Sequence, residues 1–169
     1  MKMSSKSLLE KHMREKQLTR SQLQVKVQEL KAANKTIATL NGSFDLLHAG
    51  HLHILFEAAK QADVLIVALN TDASIKRYKG EHRPICTLEE RMAMMAALEC
   101  VDYVTSFDED TPIETLKIIQ PNVHVNGAEY GENCIESGVV KAHGGRIHIV
   151  DLVPGLSTSK LIERIVQCV

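Results

Sequence analysis

The 169 residues predict an α/β chain: a doubly wound sheet of five parallel strands, preceded by an N-terminal helical extension. Three observations carry that expectation. From Lys35 onward, short apolar runs alternate with helical patterns, as in successive βαβ units. DVLIVAL, residues 63–69, is a nearly continuous β-rich run, the pattern of a parallel strand covered on both faces. Two helix starts are also spelled out, at Thr87-x-x-Glu90 and at Thr111-Pro112-Ile113-Glu114.

The elements follow in order. Residues 1–34 are charged and glutamine-rich, with no glycine or proline, and form the extension; residues 35–169 form the α/β domain. Within the extension, Thr19-x-x-Gln22 is a capping-box pattern and Leu18 with Leu23 a hydrophobic staple. Leu23, Val27 and Leu30 then recur at helical spacing and predict one buried stripe. The extension is expected to be structural or an oligomer contact. TIATL (36–40) is the first strand, and 49–61 reads as a helix. DVLIVAL is the second strand. Thr87 caps a helix carrying Leu88, Met92 and Met95, and DYVTSF (102–107) is the third strand. Thr111 should cap the next helix with Pro112 in its first turn. NVHVN (122–126) and RIHIV (146–150) complete the sheet, with a short helix between them, and a last helix starts near Ser157. In a sheet of this Rossmann-like kind, ligands sit beyond the carboxyl ends of the strands, where the strand order reverses. Residues 41–51, 70–80, 107–111, 126–130 and 152–159 are therefore the segments to inspect.

Composition narrows the function. A net charge of −1 gives no general attraction to nucleic acid or to acidic membranes, so an anion site must be local. Cys86, Cys100, Cys134 and Cys168 show no CxxC pairing, which argues against a zinc knuckle or a disulfide framework and fits reduced thiols. Neither a signal peptide nor a run of about 18 apolar residues is present, and a soluble cytoplasmic protein is expected.

Chemistry concentrates in LNGSFDLLHAGHLH, residues 40–53. Asn41-Gly42-Ser43-Phe44-Asp45 follows the first strand. His48 and His51, three positions apart, face the same way on a helical turn. A helix N-terminus offers N–H groups and partial positive charge to phosphate, and Gly42 and Gly50 would admit a close approach to the backbone. The residues alone leave three readings: a histidine-rich turn, a metal site of His48, His51 and His53, or a phosphate site. The HExxH spacing, its glutamate and a fourth ligand are all missing, so no metal ligand is assigned to the protein. Walker A and GxGxxG loops are absent as well.

HAGH resembles the HxGH signature of the nucleotidyltransferase superfamily, and NGSFDLLHAGH is close to its longer form in cytidylyltransferase-like enzymes. Gly155-Leu156-Ser157-Thr158-Ser159 is similar to the GISTT-type motif at the last helix. Residues 70–104, NTDASIKRYKGEHRPICTLEERMAMMAALECVDYV, resemble one subgroup: the adenylyltransferase of bacterial ADP-heptose synthesis. The resemblance runs from about Leu18 to Arg164.

It implies transfer of AMP from ATP to a sugar 1-phosphate, D-glycero-β-D-manno-heptose 1-phosphate in that subgroup, with Mg²⁺ accompanying ATP. His48, His51 and Lys79 are the implied catalytic residues. Asn41, Gly42, Ser43, Phe44, Gly50, Asn126, Ser157 and Thr158 are implied at the nucleotide, and Asp45, Arg83 and Arg91 at the sugar phosphate. His53 falls outside HxGH and is read as structural. ALECVDYV (97–104) resembles the family's dimer contact, so a homodimer is implied. The kinase module often fused to the heptose enzyme is not found in these residues, which implies a separate sugar kinase upstream.

Two departures stand out. The subgroup usually has KGGDY after strand four, where this chain has Asn126-Gly127-Ala128-Glu129-Tyr130. Leu152 occupies a position that is often arginine in the cytidylyltransferase branch. A CTP-dependent transferase acting on glycerol 3-phosphate, and a nucleotide-sensing module on the same fold, remain as alternatives.

Overall fold

The computed structural model describes residues 5–168; the first four residues of the expected extension lie outside them. Helices α1 (Ser5–Lys16) and α2 (Arg20–Ala32) come first, then β1 (Ile37–Gly42), α3 (Ala49–Ala59) and β2 (Val64–Asn70). Next are α4 (Asp72–Lys79), α5 (Leu88–Ala97), β3 (Tyr103–Phe107) and α6 (Ile113–Ile119). β4 (Val123–Gly127), α7 (Ser137–Ala142), β5 (Arg146–Val150) and α8 (Thr158–Gln167) complete the chain.

The five strands pair in the order β3-β2-β1-β4-β5, every pair parallel. This is the expected α/β, Rossmann-like sheet, with the order reversing between β1 and β4. The apolar runs read as continuous because both faces are covered. On one face Ala38, Leu40, Leu65, Val67 and Val125 pack with Leu55 of α3 and Met95 of α5. On the other, Ile37, Val64 and Ile66 meet Leu23 and Val27 of α2 and Ile119 of α6. All seven residues of β2 are buried.

The capping boxes form as the sequence suggests. Thr19 with Gln22 caps α2, and Thr87 with Glu90 caps α5. Leu18 and Leu23 both enter the core, so the staple holds α2 against the sheet. Chain entry is tied further by Leu18 N–H, which donates to Val104 O at 2.8 Å, and by Lys16 Nζ, which donates to Leu98 O at 3.1 Å. The 97–104 stretch is therefore packed by the chain's own α1–α2 connection.

Two elements differ from expectation. α6 begins one residue late: Pro112 is its N-cap, its carbonyl accepting from Leu116 N–H at 2.9 Å, and Thr111 makes no cap. Proline's side chain carries no acceptor, so the first-turn amides of α6 have no side-chain cap there. α4 was not anticipated. It is short and charged, but Thr71 caps it by accepting from Ser74 N–H, and Gly80, at φ 91°, ends it in a conformation that favours glycine. Among the described residues no helix is long and apolar enough to cross a membrane.

Candidate active site

Because β1 and β4 are neighbours whose connections leave on different sides of the sheet, their carboxyl ends open a crevice. A cavity of about 580 Å³ occupies it. Its wall draws on five separate places: Asn41–Phe44 with the head of α3, Lys79 and Arg83 beyond β2, Asn126, Gly127, Glu129 and Tyr130 after β4, Val150–Val153 at the end of β5, and Leu156–Ser159 at the head of α8. The two halves of the motif, over a hundred residues apart in sequence, thus face one space.

The histidines are the head of α3. His48 is its N-cap, and its Nδ1 accepts from Gly50 N–H at 3.1 Å. His51 reciprocates, its Nδ1 accepting from His48 N–H at 3.4 Å. This is a capping box built from two imidazoles instead of a hydroxyl and a carboxamide. It has a chemical consequence. With Nδ1 acting as acceptor in both rings, the proton of each neutral imidazole sits on Nε2. The rings stack 3.7 Å apart, and Phe44 lies 5.2 Å from His51 at a tilt. Burial, reinforced by His48 and Lys79, lowers the His51 pKa to about 4; burial also lowers that of His48. Near neutral pH both rings are uncharged donors through Nε2–H.

The expectation of free amides at this helix start needs correcting. Gly50 N–H goes to the His48 ring, and His51 and Leu52 N–H both go to His48 O. The imidazole edges replace backbone amides as the donors. The glycines are used differently too. A Cβ on Gly50 would lie 3.0 Å from His48 Cε1 and 3.1 Å from Leu156 Cβ, and one on Gly42 would lie 3.2 Å from the Phe44 ring. The close approaches they permit in this structure are to the protein's own side chains.

Asp45 and Arg91, expected at the substrate, lie beneath the cavity wall. Asp45 is fully buried and accepts from Arg83 Nε at 2.8 Å and from the amides of Ile85 and Cys86. Burial opposes its charge, but those two amides and the Arg83 guanidinium outweigh it and hold its carboxyl below the usual range. Arg91, also fully buried, forks to Ser43 O and Asp72 Oδ1, each at 2.7 Å, and to Cys86 O at 3.1 Å. Together they fasten the loop after β1 to the segment before α5. Arg83 lines the cavity while paired with Asp45, and Lys79 lines it while donating to Ser43 Oγ at 3.0 Å. Burial, with Arg83 nearby, lowers the Lys79 pKa.

At α8, Ser157 and Thr158 line the cavity, but both hydroxyls are engaged. Ser157 Oγ caps the helix by accepting from Lys160 N–H, and Thr158 Oγ1 donates to Asp45 O at 3.0 Å. Several lining residues were not among the expected site residues. His53 was set aside as structural yet lines the wall, with Ile54 beside it, and Val150 and Asp151 line it at the end of β5. Glu129 and Tyr130 line it within the window after β4. Nothing in the HxGH spacing pointed to His53. Glu136, buried behind Asn41 and Asn126, gave no local signal either.

A family model described as cytidylyltransferase-like matches residues 39–164, well over half of the chain. The chain belongs to the cytidylyltransferase-like family. Curated relatives of this cytidylyltransferase-like chain include the bifunctional protein HldE of Syntrophotalea carbinolica, 46% identical over 79% of the chain. The bifunctional protein HldE of Ectopseudomonas mendocina is 44% identical over 88%. The chain spans only 27% and 32% of those relatives, under a third of their length. A solved lipopolysaccharide core biosynthesis protein from Thermoplasma volcanium is similar at 28% identity and a TM-score of 0.57, over 70% of this chain and 97% of that one. Pantoate-beta-alanine ligase from Francisella tularensis shares the fold, with a TM-score of 0.57 at 14% identity over 88% of this chain and 77% of its own.

Proposed function

We propose that this chain is a nucleotidyltransferase that moves AMP from ATP onto a sugar 1-phosphate, D-glycero-β-D-manno-heptose 1-phosphate. The products are the ADP-sugar and pyrophosphate. The observation that carries this is the meeting, at one switch-point cavity, of the stacked His48–His51 pair, the Lys79–Arg83 segment and the head of α8.

The chemistry asks little of a base. A phosphate monoester, like a phosphorylated side chain, loses its second proton at about pH 6, so the attacking oxygen is already ionised near neutral pH. That oxygen bonds to the α-phosphorus of ATP, the bond to the bridging β-phosphate oxygen breaks, and pyrophosphate leaves with its electron pair. The protein's task is to bring two polyanions together in line and to stabilise charge at the α-phosphate. Nε2–H of His48 and His51 are donors already oriented for that purpose. Lys79 and Arg83 supply positive charge at the same wall.

Mg²⁺ would screen the phosphates' negative charge. The ion would arrive with the nucleotide, as the resemblance implies. The resemblance to ADP-heptose enzymes brings a homodimer and an upstream kinase acting on the anomeric hydroxyl into the same proposal.

Pyrophosphate release tests the reading, measured with Mg²⁺ and ATP, CTP or GTP against heptose 1-phosphate and glycerol 3-phosphate. Turnover with ATP and heptose 1-phosphate is the expected result. Activity confined to CTP and glycerol 3-phosphate would overturn it.

A further inference from the structure

Two residues of the turn after β1 hold a backbone conformation that bulky side chains rarely adopt: Phe44 at φ 45° and Leu46 at φ 53°. Among the described residues, the other non-glycine positions of this kind are Asn34 and Gln120. Those two follow the ends of α2 and α6, where a left-handed residue is ordinary. Phe44 and Leu46 close no helix. Such strain persists only where the surroundings over-determine it. Here Arg91 donates to Ser43 O, Thr158 to Asp45 O, and Arg83, Ile85 and Cys86 to the Asp45 carboxylate. Residues from α5, from the head of α8 and from the segment before α5 thus fasten a turn of four residues.

The strained turn places one aromatic ring. Phe44 is buried in the same core cluster as Leu40 and Leu55, and a Cβ on Gly42 would come within 3.2 Å of it. Its centroid lies 5.2 Å from that of His51 at a tilt of 55°, within the range of an aromatic contact. An ordinary φ at residue 44 would redirect Cβ and carry the ring elsewhere.

His51 needs such a neighbour. The last torsion of a histidine side chain is broad, so the plane of the ring is set by what surrounds it. The bond from His48 N–H to His51 Nδ1 is 3.4 Å, longer than the 3.1 Å bond that holds His48 and beyond the usual range for N–H donors. That bond alone orients the imidazole weakly.

We propose that Phe44 is a positioning residue: the strained turn holds its ring against the His51 imidazole, and this contact fixes the direction of the His51 Nε2–H donor. The consequence for turnover rests on the transfer reading; the contact itself can be read in the protein without substrate.

The test compares Phe44→Leu, which keeps apolar bulk but loses the flat ring, with Phe44→Tyr, which keeps the ring. Imidazole nitrogen NMR on the free protein reports the His51 tautomer and its titration. The groups facing His51 are His48, Lys79 and Asp45, and all three stay in place. Burial is the main cause that holds His51 at about 4, so loss of the ring should move its titration up toward 6.5 and mix its tautomers. On the proposed chemistry, kcat and kcat/KM for Phe44→Leu should fall together by about tenfold or more, while Phe44→Tyr stays within about threefold of the unaltered protein.

A folded Phe44→Leu protein with unaltered His51 signals overturns the proposal. So does a folded Phe44→Tyr protein that behaves as Phe44→Leu does, because the ring would then not be what matters. Should Phe44→Leu not fold, Gly42→Ala presses on the same ring from its other neighbour and must shift the His51 signals; signals identical to those of the unaltered protein overturn the proposal. Failure of the transfer reading would appear separately, as the expected NMR changes with no pyrophosphate from any substrate pair.

Discussion

The imidazoles of His48 and His51 lie face to face, 3.7 Å between centroids and 22° from parallel, each held by a backbone N–H at Nδ1. That single arrangement caps α3, sets the tautomer of both rings and aligns two Nε2–H donors.

Replacing His51 by alanine removes one donor positioned for the transition state. On the proposed chemistry kcat should fall by roughly 10²–10³, the usual loss for such a group, with the fold retained. His48→Ala should add a stability loss of about 1 kcal/mol, because that ring is also the N-cap. Pyrophosphate-release kinetics and thermal unfolding separate the two effects. Near-normal turnover by folded His51→Ala would remove the imidazole pair from the mechanism.

Acid should weaken the fold through its buried imidazoles. His51 and His124 each fall from the ordinary 6.5 to about 4, in both cases chiefly by burial. His124 is held inside the sheet by Thr39, 2.7 Å from its Nδ1. Between those values the unfolded chain binds protons that the folded chain refuses, so stability rises with pH across that window. The contribution is complete above pH 6.5 and is lost as pH falls toward about 4. Denaturant midpoints taken through this range should show the slope, and His124→Asn should make it shallower. An unchanged slope in a folded His124→Asn protein would exclude His124 as a source.

Arg91→Lys keeps a charge but loses the fork that spans Ser43 O, Asp72 and Cys86 O. Leaving buried carbonyls without donors should cost about 1–3 kcal/mol in unfolding free energy. Nucleotide affinity should fall with it, because Ser43 O anchors the loop that carries Phe44. Loss of stability with unaltered affinity would show that the loop keeps its shape without Arg91.

Gly50→Ala would ordinarily favour a helix. Here the added Cβ meets the His48 ring at 3.0 Å and Leu156 Cβ at 3.1 Å, so either the imidazole or the head of α8 has to move. A displacement of that order should lower kcat by roughly tenfold to a hundredfold with little change in melting temperature. Unchanged kinetics would mean that the pair tolerates the shift.

Much of the fold was legible because it is written in local chemistry. The boxes at Thr19–Gln22 and Thr87–Glu90 depend on residues three apart, and the depth of β2 depends on one unbroken apolar run. α4 escaped notice since eight residues with only Ile75 and Tyr78 as large apolar side chains offer little periodicity, and Thr111 misled because proline left α6 without a side-chain cap.

A parallel α/β sheet, the strand ends that carry ligands and two motifs whose residue types suit phosphate all follow from local sequence pattern. The partner of each side chain there follows from packing. Asp45 meets Arg83 across 38 positions, Asn41 meets Glu136 across 95, and Thr158 reaches Asp45 across 113. Such partners are chosen by the packing of strands and helices, which local spacing does not encode. That is why two residues expected at the substrate proved to be buried fasteners, and why an unremarked glutamate came to stand behind the floor of the cavity.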